Sequence, residues 1–182
     1  MKSNFLYCQY YYAIISGIIF LTLSLAIHAE DNMYFHGTLV DEPCMISAQD
    51  AIIPLDFGTV IDKELYNNTR TNGLPFTVHL SECDLSIGKT VKIMFNGVEN
   101  TKIEGLLAID PSSQASGIAI GIESEKGKLL PINKLSEKYV LENGSNAINM
   151  AAYLQGEPDA IKNHTIERGP FNAVARFSLE YE

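Results

Sequence analysis

The sequence has 182 residues, with 13 Lys and Arg against 22 Asp and Glu and a formal charge of −9. That length suits one domain with a sizeable hydrophobic core. The acidic balance excludes nucleic acid and anionic membrane as electrostatic partners.

The first 29 residues read as an export signal rather than as part of a fold. Lys2 is their only charged residue, and an apolar run from Ala13 to Ile27 ends in Ala26-Ile27-His28-Ala29. A charged start, an apolar middle and a small-residue end make a secretory signal peptide. A transmembrane anchor is the competing reading, but the run is about 15 residues against the roughly 20 that a bilayer span needs. Removal after Ala29 leaves Glu30–Glu182, 153 residues, and takes away one basic residue and no acidic one, so the formal charge becomes −10.

Next, Met33, Phe35, Gly37 and Leu39 alternate with Tyr34, His36 and Thr38, which predicts a strand. Cys8 leaves with the signal, so the exported chain keeps Cys44 and Cys83, 39 residues apart. One such pair in an oxidising compartment is expected to close as a disulfide. On the chain-entropy model that loop stabilises the fold by about 4 kcal/mol through the unfolded state. Two buried free thiols are the alternative.

Further strands follow in chain order. Phe76, Val78 and Leu80 alternate with Thr77, His79 and Ser81; Val91, Ile93 and Phe95 form a third apolar face; Ile118, Ile120 and Ile122 form a fourth. The run Asn146 to Leu154 is a fifth, with Ile148, Met150, Ala152 and Leu154 on one side. Asn96-Gly97, Pro111-Ser112-Ser113, Lys126-Gly127 and Asn143-Gly144-Ser145 supply turns between them. Asn133 to Glu142 reads either as a short helix or as an irregular strand, and no long amphipathic helix is predicted. Period-two patterning broken by turn residues predicts an antiparallel all-β domain, a sandwich of immunoglobulin-like type.

The two ends carry the most information. Phe171, Ala173, Ala175, Phe177, Leu179 and Tyr181 share one face of a last strand, with no later segment to lie beside it. The mature N-terminal segment is a patterned strand with nothing before it. One end reads as lacking a strand, the other as having one to spare.

Several features in order carry a family resemblance: Phe35-His36-Gly37-Thr38-Leu39, then Asp41-Glu42-Pro43-Cys44, then Cys83 closing Phe76 to Cys83, and last Gly169-Pro170-Phe171 ahead of a terminal strand with penultimate Tyr181. In these the chain resembles pilins of chaperone-usher pili over essentially its whole mature length, with Gly169 at the fourteenth position from the end. The resemblance implies an incomplete immunoglobulin-like β-sandwich lacking its seventh strand and completed by donor-strand exchange. It implies a division into a signal at 1–29, a donor-strand extension at 30–41 and a pilin domain at 42–182. Met33, Phe35, Gly37 and Leu39 would enter a neighbour, by strand addition in which main-chain bonds set register and alternate side chains fill pockets. Burial of the three apolar side chains would contribute about 5 to 9 kcal/mol before ordering costs.

The same resemblance assigns Gly169, Phe171, Ala173, Ala175, Phe177, Leu179, Tyr181 and Glu182 to a groove. A periplasmic chaperone would hold it first, and a neighbouring pilin subunit would fill it at an outer-membrane usher. Tyr181 and the carboxylate end would be gripped by the chaperone; otherwise Tyr181 is the last core residue of an edge strand. Gly37 would mark a close approach of donor to acceptor, or else an ordinary strand or bulge glycine. The start Phe35-x-Gly37-x-Leu39, Asp41-x-Pro43-Cys44 and the strand at residues 88 to 95 most resemble minor adaptor subunits of P-type pili, which implies export through the periplasm to a surface fimbrium that supports cell adhesion. A single-domain adhesin binding a host ligand and a pilus-terminating subunit are the alternatives.

An enzyme is not indicated. The sequence contains no G-x-S-x-G, H-E-x-x-H or C-x-x-C, the spacings on which nucleophile, zinc and redox chemistry depend. His36 and His79 fall singly on strands and His164 in a polar loop, a poor zinc set. Glu123 and Glu125, beside Lys126-Gly127, are expected in a solvated turn. Asn67, Asn143 and Asn163 begin glycosylation triplets of the kind that arise by chance in Asn-rich chains. No cofactor or metal is expected.

Overall fold

A computed structural model describes residues 35–39 and 41–182, in two units, Met1–Leu39 and Val40–Glu182. In the first unit, residues 35–39 carry no regular secondary structure and are exposed. The strand predicted there is not formed within these five residues; Met33 and the expected signal lie outside the described residues.

The second unit is a sandwich of two antiparallel sheets. Its strands are β1 (Met45–Ile46), β2 (Leu74–Cys83), β3 (Thr90–Asn96), β4 (Leu107–Ala108), β5 (Ile118–Ser124), β6 (Tyr139–Val140), β7 (Gly144–Gly156) and β8 (Arg176–Tyr181). One sheet runs β1-β2-β7-β5-β4 and the other β6-β3-β8. Long β7 is central to the first sheet. It pairs Phe76 with Met150 and Val78 with Ile148 on one side, and Ile120 with Leu154 and Ile122 with Ala152 on the other. Inward side chains from both sheets interleave: Val78, Leu80, Val91, Ile93 and Leu154 are each at most 1% exposed. The predicted alternation in β2, β3 and β7 is therefore the alternation between this core and the outside.

Strand β5 departs from that pattern. Ile118, Ile120 and Ile122 face the core, but Ala119 and Glu123 on the opposite face are buried as well. The reason is Tyr153 of β7, whose ring lies across Gly121: a Cβ there would stand 2.1 Å from the ring carbon Cζ. Only glycine leaves room for that ring.

Asn133 to Glu142, for which helix and strand were both open, is irregular and extended. It bridges Leu135 to Met94 and then forms β6 against Thr90 and Val91. Two short helices, α1 (Asp62–Asn68) and α2 (Pro158–Asn163), complete the fold. Each has too few turns for a 3.6-residue period to stand out in sequence. Cys44 and Cys83, both buried, form a disulfide that ties the start of β1 to the end of β2.

Candidate functional site

The second sheet stops short. Strand β8 pairs with β3 from Val91↔Tyr181 to Asn96↔Arg176, and its other edge has no partner among the described residues. Residues 171–175 prolong the line of β8 without a ladder, so the paired strand is shorter than the predicted pattern from Phe171 to Tyr181. Phe171, Ala173, Ala175, Phe177, Leu179 and Tyr181 all pack against the core yet remain partly exposed, while the residues between them are exposed. They form one wall of a groove.

The facing wall comes from residues 53–57. Ile53, Leu55 and Phe57 pack against the same core and are likewise only half-buried, whereas Pro54 and Asp56 between them are exposed. Among the described residues, none makes a backbone-to-backbone hydrogen bond with residues 53–57. Pro54 has no N–H to offer, as suits a sheet edge. Pro54 hides this wall in the sequence, although Ile53, Leu55 and Phe57 do alternate with Pro54 and Asp56.

The Phe171–Tyr181 wall is touched near both of its ends. Phe57 and Phe171 meet with ring centroids 6.1 Å apart, and the Tyr181 hydroxyl donates to the Cys44 carbonyl at 3.4 Å. The walls thus run antiparallel, Cys44 beside Tyr181 and Phe57 beside Phe171. Between them lies an apolar slot; fully extended, the Phe171–Tyr181 wall runs about 33 Å, ten steps at roughly 3.3 Å each, and residues 53–57 face about 13 Å of it. Half-buried apolar side chains on two unzipped edges are what a sandwich shows where one strand is missing.

Neighbouring groups hold the slot in shape. The Glu182 carbonyl accepts the N–H of Lys89 at 2.9 Å and of Thr90 at 3.0 Å, and its own N–H donates to Thr90. Its carboxylate meets both Lys138 and Lys92. Hydrogen bonds from Lys138 and Lys92 hold the Glu182 carboxyl down at about 2. Burial pushes the Tyr181 phenol above its ordinary range, and the charge of Glu42 adds to this. Gly169 is not in the wall; it sits at the turn that delivers Phe171, where a Cβ would lie 2.6 Å from Gln114 Cβ. The next carbonyl, of Pro170, accepts from Gln114 at 2.9 Å and Ala115 at 3.3 Å, which fixes that turn.

Of the predicted donor residues, Phe35 is 87% and Leu39 101% exposed. A Cβ on Gly37 would meet nothing within 4 Å, so nothing in the segment's own structure demands glycine there.

Glu123 is not in a solvated turn. Its carboxylate takes two parallel bonds from Arg70, 2.8 and 2.9 Å, and the guanidinium lies 3.8 Å from the Tyr153 ring centroid. This fork holds the Arg70 pKa above its ordinary value. Nothing in local sequence joins residues 53 positions apart, and the turn that follows masked the burial. Glu125 does lie in the exposed turn. The histidines are apart in role: His36 is exposed, His79 Nδ1 contacts buried Asp50 at 2.8 Å, and His164 caps α2 with its ring 4.6 Å from Tyr66.

Comparison with known proteins gives this groove its context. The family model described as Fimbrial protein matches residues 33–182. The uncharacterized fimbrial-like protein YfcP of Escherichia coli K12 is 30% identical over 172 residues, 93% of this chain and 94% of its own. The major MR/P fimbria protein of Proteus mirabilis HI4320 is 32% identical over 149 residues, 81% of this chain and 82% of its own. The crystal structure of the P pilus rod subunit PapA superposes with a TM-score of 0.68 at 23% identity, covering 78% of this chain and all of that one, and so shares the fold. The chain belongs to the fimbrial protein family, whose members are structural fimbrial subunits rather than enzymes, and its two-sheet sandwich is the immunoglobulin-like fold of pilins.

Proposed function

We propose that this chain is an internal structural subunit of a chaperone-usher pilus and polymerises by donor-strand exchange. The observation that carries the reading is the slot between Ile53–Phe57 and Phe171–Tyr181, where two apolar walls face each other and, among the described residues, no strand lies between them. An extended segment seated there would complete the β8 ladder by main-chain hydrogen bonds and fill the half-buried pockets with alternate side chains. The segment Met33–Leu39 has that alternation, and the exposure of Phe35 and Leu39 leaves nearly their whole surface to be buried in a neighbour. A chain with both a spare strand and a vacant slot fits an internal place, since a terminator needs no acceptor.

Before assembly the slot is an exposed apolar edge that invites aggregation. On this reading a periplasmic chaperone covers it after export of residues 30–182, and an outer-membrane usher is where the neighbour's strand takes over. A minor rank within the fimbrium is the finer proposal. It rests on the resemblance of the Phe35 to Cys44 start and of the strand at residues 88 to 95 to adaptor subunits, and the copy number per isolated fibre tests it.

The central experiment adds a synthetic peptide of residues 30–41 to the mature subunit and follows thermal unfolding. The expected outcome is a saturable rise in melting temperature, with mass action setting its size. A subunit that folds cooperatively alone, remains monomeric and ignores the peptide would overturn the proposal.

A further inference from the structure

A slot lined at period two has a register problem. A one-residue slip of the inserted strand turns every apolar side chain away from the core, but a two-residue slip leaves all of them facing inward. Alternation alone cannot exclude the second. A close approach at Gly37 would oppose such a slip from the donor side, and a stop at one end of the slot would oppose it from the acceptor side.

The end beyond Phe57 and Phe171 is closed. Past the ring contact the two walls are cross-linked, because Asp62 at the start of α1 accepts two hydrogen bonds from Arg168, Nε at 2.9 Å and Nη2 at 2.6 Å. Asp62 keeps only 17% of its side chain exposed in this pair. Behind it, Tyr66 of α1 accepts the Ile166 N–H at 3.2 Å, a second tie between the same two stretches of chain. The next residue, Gly169, lies against Gln114 with no room for a Cβ, while the Arg168 side chain itself is 81% exposed. At the opposite end, the tie among the described residues is the 3.4 Å bond from the Tyr181 hydroxyl to the Cys44 carbonyl.

We propose, resting on the strand-addition reading, that the Asp62–Arg168 pair behind Phe57 and Phe171 is an end stop that fixes the register of the inserted strand. An incoming chain can advance until its leading residue meets the two rings, and the ion pair keeps the rings from parting. Asp62 and Arg168 are positioning residues in this scheme. They need not touch the bound strand.

The test maps register directly. A peptide of residues 30–41 with a benzophenone photolabel in place of the Phe35 ring is bound to the mature subunit, and its crosslinks are located by mass spectrometry. Wild type is expected to give crosslinks centred on one residue of the Phe171–Tyr181 wall. Arg168→Ala, and independently the gentler Asp62→Asn, should split them into two centres two residues apart, while both variants still bind peptide. A single unchanged centre in both variants overturns the stop. Loss of peptide binding in both variants also overturns it, because the pair then sustains affinity rather than register. A wild-type subunit that binds no peptide removes the strand-addition reading itself, which is a separable result.

Discussion

If Phe35 and Leu39 are the anchors of a donor strand, trimming them should weaken the subunit contact by an amount set by the surface they have to lose. Phe35 is 87% and Leu39 101% exposed in this chain, so almost the whole of each side chain is available for burial. Full burial of such a side chain contributes about 1.5 to 3 kcal/mol. Each alanine substitution should therefore raise the dissociation constant roughly 10- to 150-fold, at about 1.4 kcal/mol per tenfold. The two positions are about 13 Å apart in an extended strand, far enough for their effects to add. The assay is displacement of a labelled peptide of residues 30–41 from the mature subunit, comparing wild type, Phe35→Ala, Leu39→Ala and the double variant. His36→Ala and Thr38→Ala, of opposite parity, serve as controls and should change binding less than threefold. If the double variant binds within threefold of wild type, or if the opposite-parity variants weaken it as much, the seating of Phe35 and Leu39 in the groove is wrong.

The remaining expectations address other parts of the molecule. Gly37→Arg should abolish incorporation into fibres, because a side chain would enter the closest approach of donor to acceptor, while chaperone pulldown of the same variant stays normal; normal fibres would remove Gly37 from the contact. Cys44→Ser or Cys83→Ser should lower unfolding stability by about 4 kcal/mol in the loop-closure model, read from urea midpoints with complementing peptide present. Arg70→Ala should cost about 2 kcal/mol, less than a fully buried pair because Arg70 is 39% exposed, whereas the double substitution Arg70→Met with Glu123→Leu should recover most of it. The Glu182 carboxyl is held at about 2 against its ordinary 4.5, so its contribution is complete above pH 4.5 and disappears as pH falls towards 2. Glu182→Gln should accordingly flatten the acid limb of stability over that window, as seen in denaturant midpoints at stepped pH.

How much of this was legible in sequence depended on whether a contact left a local trace. Strands β2, β3 and β7 were readable because each has one face in the core, and a period of two records that directly. Strand β5 was half-readable: its isoleucines mark the core face, but the burial of its outer face depends on Tyr153 reaching across from β7 to Gly121. The wall from Phe171 to Tyr181 stood out as an apolar face, while its counterpart at Ile53, Leu55 and Phe57 was hidden by one proline. Arg70 with Glu123, and Asp62 with Arg168, join residues 53 and 106 positions apart. No window of sequence contains both partners of either pair. The groove is therefore legible from one side only, and its closed end not at all.

Electrostatics narrows what can drive the contact between subunits. On the proposed export, residues 30–182 carry a formal charge of −10, and the flanks of the proposed donor, Glu30, Asp31 and Asp41, have the same sign as Asp56 on one groove wall and Glu180 on the other. Arg176 on β8 offsets one of these wall charges, Lys92 and Lys138 are already engaged by Glu182, and the balance of donor flanks against walls stays repulsive. Strand insertion thus has to draw on apolar burial and backbone hydrogen bonds, terms that salt does not screen. Salt does screen the like-charge repulsion, over a Debye length of about 8 Å at physiological strength. A contact of that composition strengthens in the saline surroundings of a cell surface, where an ion-pair interface would weaken.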